Sequence, residues 1–284
     1  MLFRSVKHYR VDPARVTVLS RGGVASWYDG IGSRYLEQFD LFTPEELTAR
    51  NEARRATSDQ KQLGISILDD EIVSRARDVL GLDRPTVCHP SVMFTLLRQF
   101  WLGNESLQTV LEYTDCGPIG IDSQVRLPPL PDRFVAVKFY TGRALPDTPV
   151  NRDRLRAIVE RLAADLPIVT LNTNFAFDEH EDYVFRHVPG VTTLDGWVTP
   201  QNNLAVQTEV IRRAQRFVGT CGSLAWLAPM LGTDTLALYA DDHFLTSHLY
   251  AAPHLYATMD AARFTALDIT AFDHVGLLRS GPAR

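Results

Sequence analysis

Gly219-Thr220-Cys221-Gly222-Ser223 lies where a short apolar strand ending at Phe217-Val218 meets an apolar helix, Leu224–Leu231. Two glycines let the backbone come close to a ligand, and the first amides of a helix have no partner inside it. A turn of this composition therefore suits an anion, above all a phosphate. The same residues also suit a tight turn that needs small side chains for packing alone. Two cations, Lys138 within another strand, FVAVKFY, and Arg143 just after it, would supply the charge that a diphosphate needs. Asn172 and Thr173 follow a third strand, LPIVTL. A second strand–glycine junction, Ser20-Arg21-Gly22-Gly23, sets Arg21 beside two glycines, either to meet an anion or as a surface arginine on a tight turn. His89 closes PTVCHP, read as a strand; a histidine at the carboxyl end of a parallel strand lies where α/β sheets hold ligands, although a lone histidine is more often structural. Asp178, His180 and Asp182 sit close enough to share a metal, but a solvated acidic loop fits them better, and no second His or Cys group has zinc-ligand spacing.

The elements that must position these residues follow from periodicity and end signals. In the first half, Val16–Leu19 reads as a strand, Val24–Arg34 as a helix and Tyr35–Leu41 as a short strand. Thr43-Pro44-Glu45-Glu46 is a helix start, with a capping threonine, proline at the first helical position and glutamate three residues after the cap, and the helix is expected to run to Gln62. Asp69–Leu80 and Ser91–Trp101 are further helices. Asn104–Pro131 has little periodicity and four prolines, so it reads as a linker, with a domain boundary near Pro128–Pro131. In the second half, strand Phe134–Tyr140, helix Asn151–Ala164, strand Leu166–Leu171, strand pieces at Phe185–Val188 and Thr192–Leu194, helix Asn202–Gln215 and strand Thr235–Tyr239 alternate. Such alternation predicts a parallel sheet with helices on both faces, so the candidate loops would share the carboxyl edge of the sheet.

The 284 residues, 45% of them hydrophobic, suffice for one large or two ordinary domains. A net charge of -5 with dispersed basic residues gives no nucleic-acid footprint. Three widely spaced cysteines, Cys88, Cys116 and Cys221, argue against a disulfide framework and against a structural zinc site. No apolar run reaches the roughly 18 residues that span a bilayer, and no signal-like segment follows Met1, so a cytoplasmic location is expected.

Three segments, VAVKFYTGRALPDTPVNRDRLRAIVERLA, IVTLNT with its acidic loop, and RFVGTCGSLAWLAPMLGTDTLALY, resemble the C-terminal nucleotide-sugar-binding half of GT-B-type glycosyltransferases. The likeness covers Arg133–Tyr250; the earlier part, with SRGGVASWYDGI, looks like a piece of their acceptor domain. The resemblance implies an α/β fold of two Rossmann-like parallel-sheet domains, residues 1–130 on the acceptor side and 131–284 binding the nucleotide sugar, with the N-terminal one reduced. It implies transfer of a sugar from a nucleotide-diphosphate donor to a glycan or other hydroxyl, as in polysaccharide biosynthesis, with no metal and no other cofactor. Gly219, Thr220, Gly222 and Ser223 would hold the donor diphosphate, Lys138 or Arg143 would neutralise the leaving phosphate, and Asn172 and Thr173 would border the base. About three strands precede Pro128, fewer than such acceptor domains carry, and the opening region where inverting members keep their base is short. His89, Asp29 and Arg21 are the polar candidates for catalysis in the first half. Two other readings stand beside this one: another group transfer on the same scaffold, such as pyruvyl transfer or epimerisation, and a catalytically reduced nucleotide-sugar-binding protein.

Overall fold

The computed structural model describes residues 11–57, 64–113, 119–122, 124–173, 175, 180–243, 245–257 and 262–272. They fall into two compact units, one drawn from residues 1–116, 120–122 and 199–204, the other from 117–119, 123–198 and 205–284.

In the first unit β1 (Thr17–Ser20) and β2 (Arg34–Glu37) pair in parallel, with Ser20 opposite Glu37. The segment joining them is not the expected helix. Only Ala25–Tyr28 turns, as a 3-10 helix, and Gly30 at φ 76° ends it, because a left-handed backbone cannot continue a right-handed helix. α1 (Pro44–Ala56) starts as read: the Glu46 amide donates to Thr43 Oγ1 at 3.2 Å and the Thr43 amide donates to Glu46 Oε2 at 2.9 Å. Its expected continuation to Gln62 runs into residues outside those described. α2 (Ile67–Leu80) is capped by Ser66 and Asp69 in a reciprocal box and closed by Gly81 at φ 64°. The PTVCHP segment forms no strand. Proline at each end removes an amide donor, the segment is largely exposed, and among the described residues no strand pairs with it. α3 (Ser91–Trp101) and α4 (Leu107–Tyr113) pack through Met93, Leu97 and Val110. α4 lies inside the stretch read as a linker; its seven residues are too few to show a period, and Ser106 starts it by accepting the Thr109 amide at 3.1 Å.

The second unit holds a six-stranded, wholly parallel sheet of β3 (Val135–Lys138), β4 (Ile168–Thr170), β5 (Val191–Thr193), β6 (Arg216–Thr220), β7 (Thr235–Tyr239) and β8 (Phe264–Asp268). Their spatial order is β5-β4-β3-β6-β7-β8. Phe185–Val188, read as a strand piece, forms a turn instead. α5 (Pro149–Asp165), with Thr148 as its cap, turns Leu155, Ile158 and Val159 into a core shared with Val135, Val137, Ile168, Val218 and Leu238. α6 (Asn203–Arg213) leads into β6, α7 (Ser223–Leu227) and a 3-10 turn at Ala228–Leu231 lead into β7, and α8 (Thr246–Ala257) precedes β8. All four residues of β3 are buried, as expected of the middle of a sheet covered on both faces. The architecture is therefore α/β with parallel sheets, the first reduced to two strands among the described residues.

Candidate functional site

The chain lays β3, β4 and β5 outward on one side, then returns to the other side of β3 and lays β6, β7 and β8 outward. The direction of winding reverses between β3 and β6. Loops leaving neighbouring strands at such a reversal diverge and open a crevice at the carboxyl edge, where open α/β sheets bind ligands. The loop after Lys138 and the turn at Gly219–Ser223 are the two that leave there, so residues read separately along the sequence are brought to one place.

The turn is tied to β3 by side chains. The Tyr140 amide donates to Thr220 Oγ1 at 2.9 Å, and that hydroxyl donates to the Tyr140 carbonyl at 3.1 Å. The strand runs through Gly219 and Thr220, so the turn itself is shorter than expected, Cys221 and Gly222. Both glycines have packing reasons. A Cβ at Gly219 would lie 2.5 Å from the Lys138 carbonyl oxygen and 2.7 Å from the Phe217 ring. One at Gly222 would lie 1.8 Å from the Tyr140 hydroxyl. The Cys221 thiol is buried, which pushes its pKa up to about 12, so it is no nucleophile at neutral pH. Ser223 begins α7 and is exposed; no side chain caps this helix.

Lys138 does not point alone into the crevice. Its ammonium donates to Asp182 Oδ2 at 2.6 Å and to the Leu171 carbonyl at 3.1 Å. The Thr173 amide donates to the same Asp182 oxygen at 3.0 Å, and the Asn172 amide group donates to the Tyr183 carbonyl at 2.8 Å. The exit of β4 thus lies beside Lys138, around a carboxylate that the sequence reading placed in an acidic loop. Segment 181–183 runs antiparallel beside 139–141, with the Tyr183 amide on the Phe139 carbonyl at 2.9 Å and the Thr141 amide on the Glu181 carbonyl at 2.8 Å. His180 places Nδ1 2.7 Å from the Thr141 carbonyl and its ring 4.8 Å from that of Tyr140. The supposed Asp178–His180–Asp182 metal cluster is therefore divided between separate partners where it is described, and Asp178 lies outside the described residues. Among the described residues no group of three or more His, Cys, Asp or Glu is arranged around a common point. Arg143 is exposed on the loop beyond Gly142.

The first-half candidates occupy the other unit. At the Ser20–Gly23 turn, the Gly22 and Gly23 amides donate to the two carboxylate oxygens of Glu37 at 3.0 and 2.9 Å, and the Tyr35 hydroxyl adds a bond at 2.9 Å. The turn does meet an anion, but that anion is the chain's own. Gly22 at φ 81° also faces Leu204, whose Cβ would be 2.9 Å from an added methyl. Arg21 is half-buried beside this turn and Asp29 is exposed. His89 is engaged at both nitrogens: Nδ1 accepts from the Ser91 amide at 3.2 Å, starting α3, and Nε2 lies 3.3 Å from Asp69 Oδ1 on α2. Tyr140, Asp182, Glu37 and Asp69 are the residues that sequence reasoning missed in these roles. Tyr140 had a signal: two residues beyond Lys138 on an extended chain, it shares that residue's face.

No protein-family model matches the chain, and neither does any curated protein. Among solved structures, a glycosyl transferase family 9 protein from Veillonella parvula is similar at TM-score 0.48 and 12% identity, over 97% of this chain and 83% of that one. A glycotransferase of kitacinnamycin is similar at TM-score 0.37 and 15% identity, over 99% and 86%. The E. coli heptosyltransferase WaaC with ADP is similar at TM-score 0.39 and 12% identity, over 97% and 94%. Likenesses at these scores and identities carry no argument about activity.

Proposed function

We propose that this chain is a glycosyltransferase, binding a nucleotide-diphosphate sugar at the carboxyl edge of the six-stranded sheet and passing the sugar to an acceptor hydroxyl. The observation that carries the reading is the winding reversal between β3 and β6, which brings the Lys138–Arg143 loop and the Gly219–Ser223 turn to one crevice. In this reading Lys138 and Arg143 face the diphosphate, with Gly219, Thr220, Gly222 and Ser223 forming the wall behind it and Asn172 and Thr173 bordering the base. Charge developing on the leaving diphosphate would be met by these cations, so no metal is required. Arg21, Asp29 and His89, the last engaged at both ring nitrogens, are the first unit's candidates for catalysis.

The test is a thermal-shift titration with UDP, GDP, ADP, CMP and dTDP, with and without EDTA. A ligand that binds only the folded chain raises the melting temperature by mass action. A shift with one nucleotide that survives EDTA supports the reading, and no shift with any removes it. The occupied SRGG turn and the engaged His89 favour one alternative, a nucleotide-sugar-binding chain without turnover. Nucleotide binding combined with no consumption of any labelled sugar donor would select it.

A further inference from the structure

Two sets of donors that the sequence reads as meeting an anion, the Gly22–Gly23 amides and the Lys138 ammonium, are met by carboxylates of the chain itself. In the first unit Glu37 takes the Gly22 and Gly23 amides. In the second, one oxygen of Asp182 receives the Lys138 ammonium at 2.6 Å and the Thr173 backbone amide at 3.0 Å. An ammonium and a main-chain amide converging on one oxygen are the donors that a phosphate oxygen takes. The pair is sheltered, with 11% of the lysine and 17% of the aspartate side chain exposed. Asp182 sits in the segment that runs beside 139–141, so it is held at the mouth of β3 by main-chain bonds on either side of it.

We propose that Asp182 is an internal stand-in for the ligand's phosphate, which holds Lys138 neutralised until a diphosphate displaces it. The proposal rests on the glycosyltransferase reading and deepens it by naming what the ligand must compete with. A carboxylate brings one charge and is present at a high effective concentration because it is tethered. A diphosphate brings more charge and more acceptor oxygens, so it can take the ammonium and the Thr173 amide from Asp182. A ligand of one charge gains nothing by the exchange. The site would then discriminate for diphosphates, and its apparent affinity would be lowered by the fraction of time that Asp182 holds the lysine.

The experiment is calorimetric titration of the full chain with inorganic pyrophosphate and with UDP, for the unsubstituted chain, Asp182→Asn, Asp182→Ser, Lys138→Ala and the Lys138→Ala/Asp182→Asn double variant, each checked for folding by thermal melting. With Asp182 on the lysine about nine-tenths of the time, Asp182→Asn is expected to bind both ligands about ten-fold more tightly. The double variant should lose that gain, and equal gains for the two ligands would locate the effect in the phosphates. If the unsubstituted chain binds UDP while both Asp182 variants bind equally or more weakly, Asp182 positions the lysine and the proposal falls, although the glycosyltransferase reading survives. Failure of both Asp182 variants to fold would make Asp182 a scaffold residue and overturn the proposal equally. No binding of pyrophosphate or UDP by any folded form would overturn the proposal, and the glycosyltransferase reading would fall with it only if GDP, ADP, CMP and dTDP also failed to bind.

Discussion

Adding a single methyl group at Gly222 separates two explanations of the glycine turn. The residue is extended, at φ -172°, so alanine meets no backbone strain there. The obstacle is Tyr140: an added Cβ would lie 1.8 Å from its hydroxyl oxygen and 3.0 Å from Cζ. The phenol cannot move away with its backbone, because Thr220 holds the Tyr140 amide and carbonyl. Overpacking of this kind costs about 1–3 kcal/mol. In a unit of this size each kcal/mol moves the melting temperature by roughly 2–4 °C, so Gly222→Ala should melt about 2–12 °C lower. Tyr140→Phe removes the atom in closest conflict. In the Gly222→Ala background it should recover part of the loss, with a coupling of about 0.5–3 kcal/mol between two groups in contact. The assay is thermal denaturation of the parent, both single variants and the double variant. A Gly222→Ala protein as stable as the parent, or a double variant showing simple additivity, would refute the argument that Tyr140 requires the glycine. Unchanged stability together with lost nucleotide binding would instead assign the glycine to the ligand.

Gly219→Ala should be more damaging, because its nearest neighbour is the Lys138 carbonyl oxygen of a paired strand, which cannot rotate aside; a melting scan in which it matches Gly222→Ala would contradict this. Thr220→Val should cost about 1–3 kcal/mol, since it leaves the Tyr140 amide without that acceptor in a half-buried place; chemical denaturation would measure it, and a neutral result would count against the bond. Burial raises the Cys221 pKa to about 12 from 9.0, so the unfolded thiol ionises first as pH rises. Its contribution to stability is full below pH 9 and is lost as pH climbs toward 12, and Cys221→Ala should flatten the alkaline fall in a stability–pH profile over that window. Brief alkylation of the native chain at neutral pH, read by peptide mass mapping, should modify the exposed Cys88 and spare Cys221.

Local chemistry accounts for what could be read directly. The cap at Thr43, the stop at Gly81 and the helix from Ser91 to Trp101 depend on residues within a few positions of one another, so they were legible before any folding. The alternation of the second half announced a parallel sheet, and parallel pairing sends every strand's exit to one edge. Segments whose nature depends on a partner were misread. PTVCHP has the composition of a strand but no strand among the described residues to pair with, and α4 is short enough that its burial against Met93 and Leu97, not its period, makes it a helix. The sequence by itself determined that glycine turns and cations alternate with apolar strands, because those are properties of type and spacing. Which carboxylate answers which donor was decided only by the tertiary structure. Glu37 reaches Gly22 and Gly23 from 15 and 14 residues away, because β1 and β2 pair in register, and Asp182 reaches Lys138 from 44 residues away, because the chain after β4 folds back along the exit of β3. Electrostatic pairing is a matter of distance in space, and spacing along the chain does not encode it.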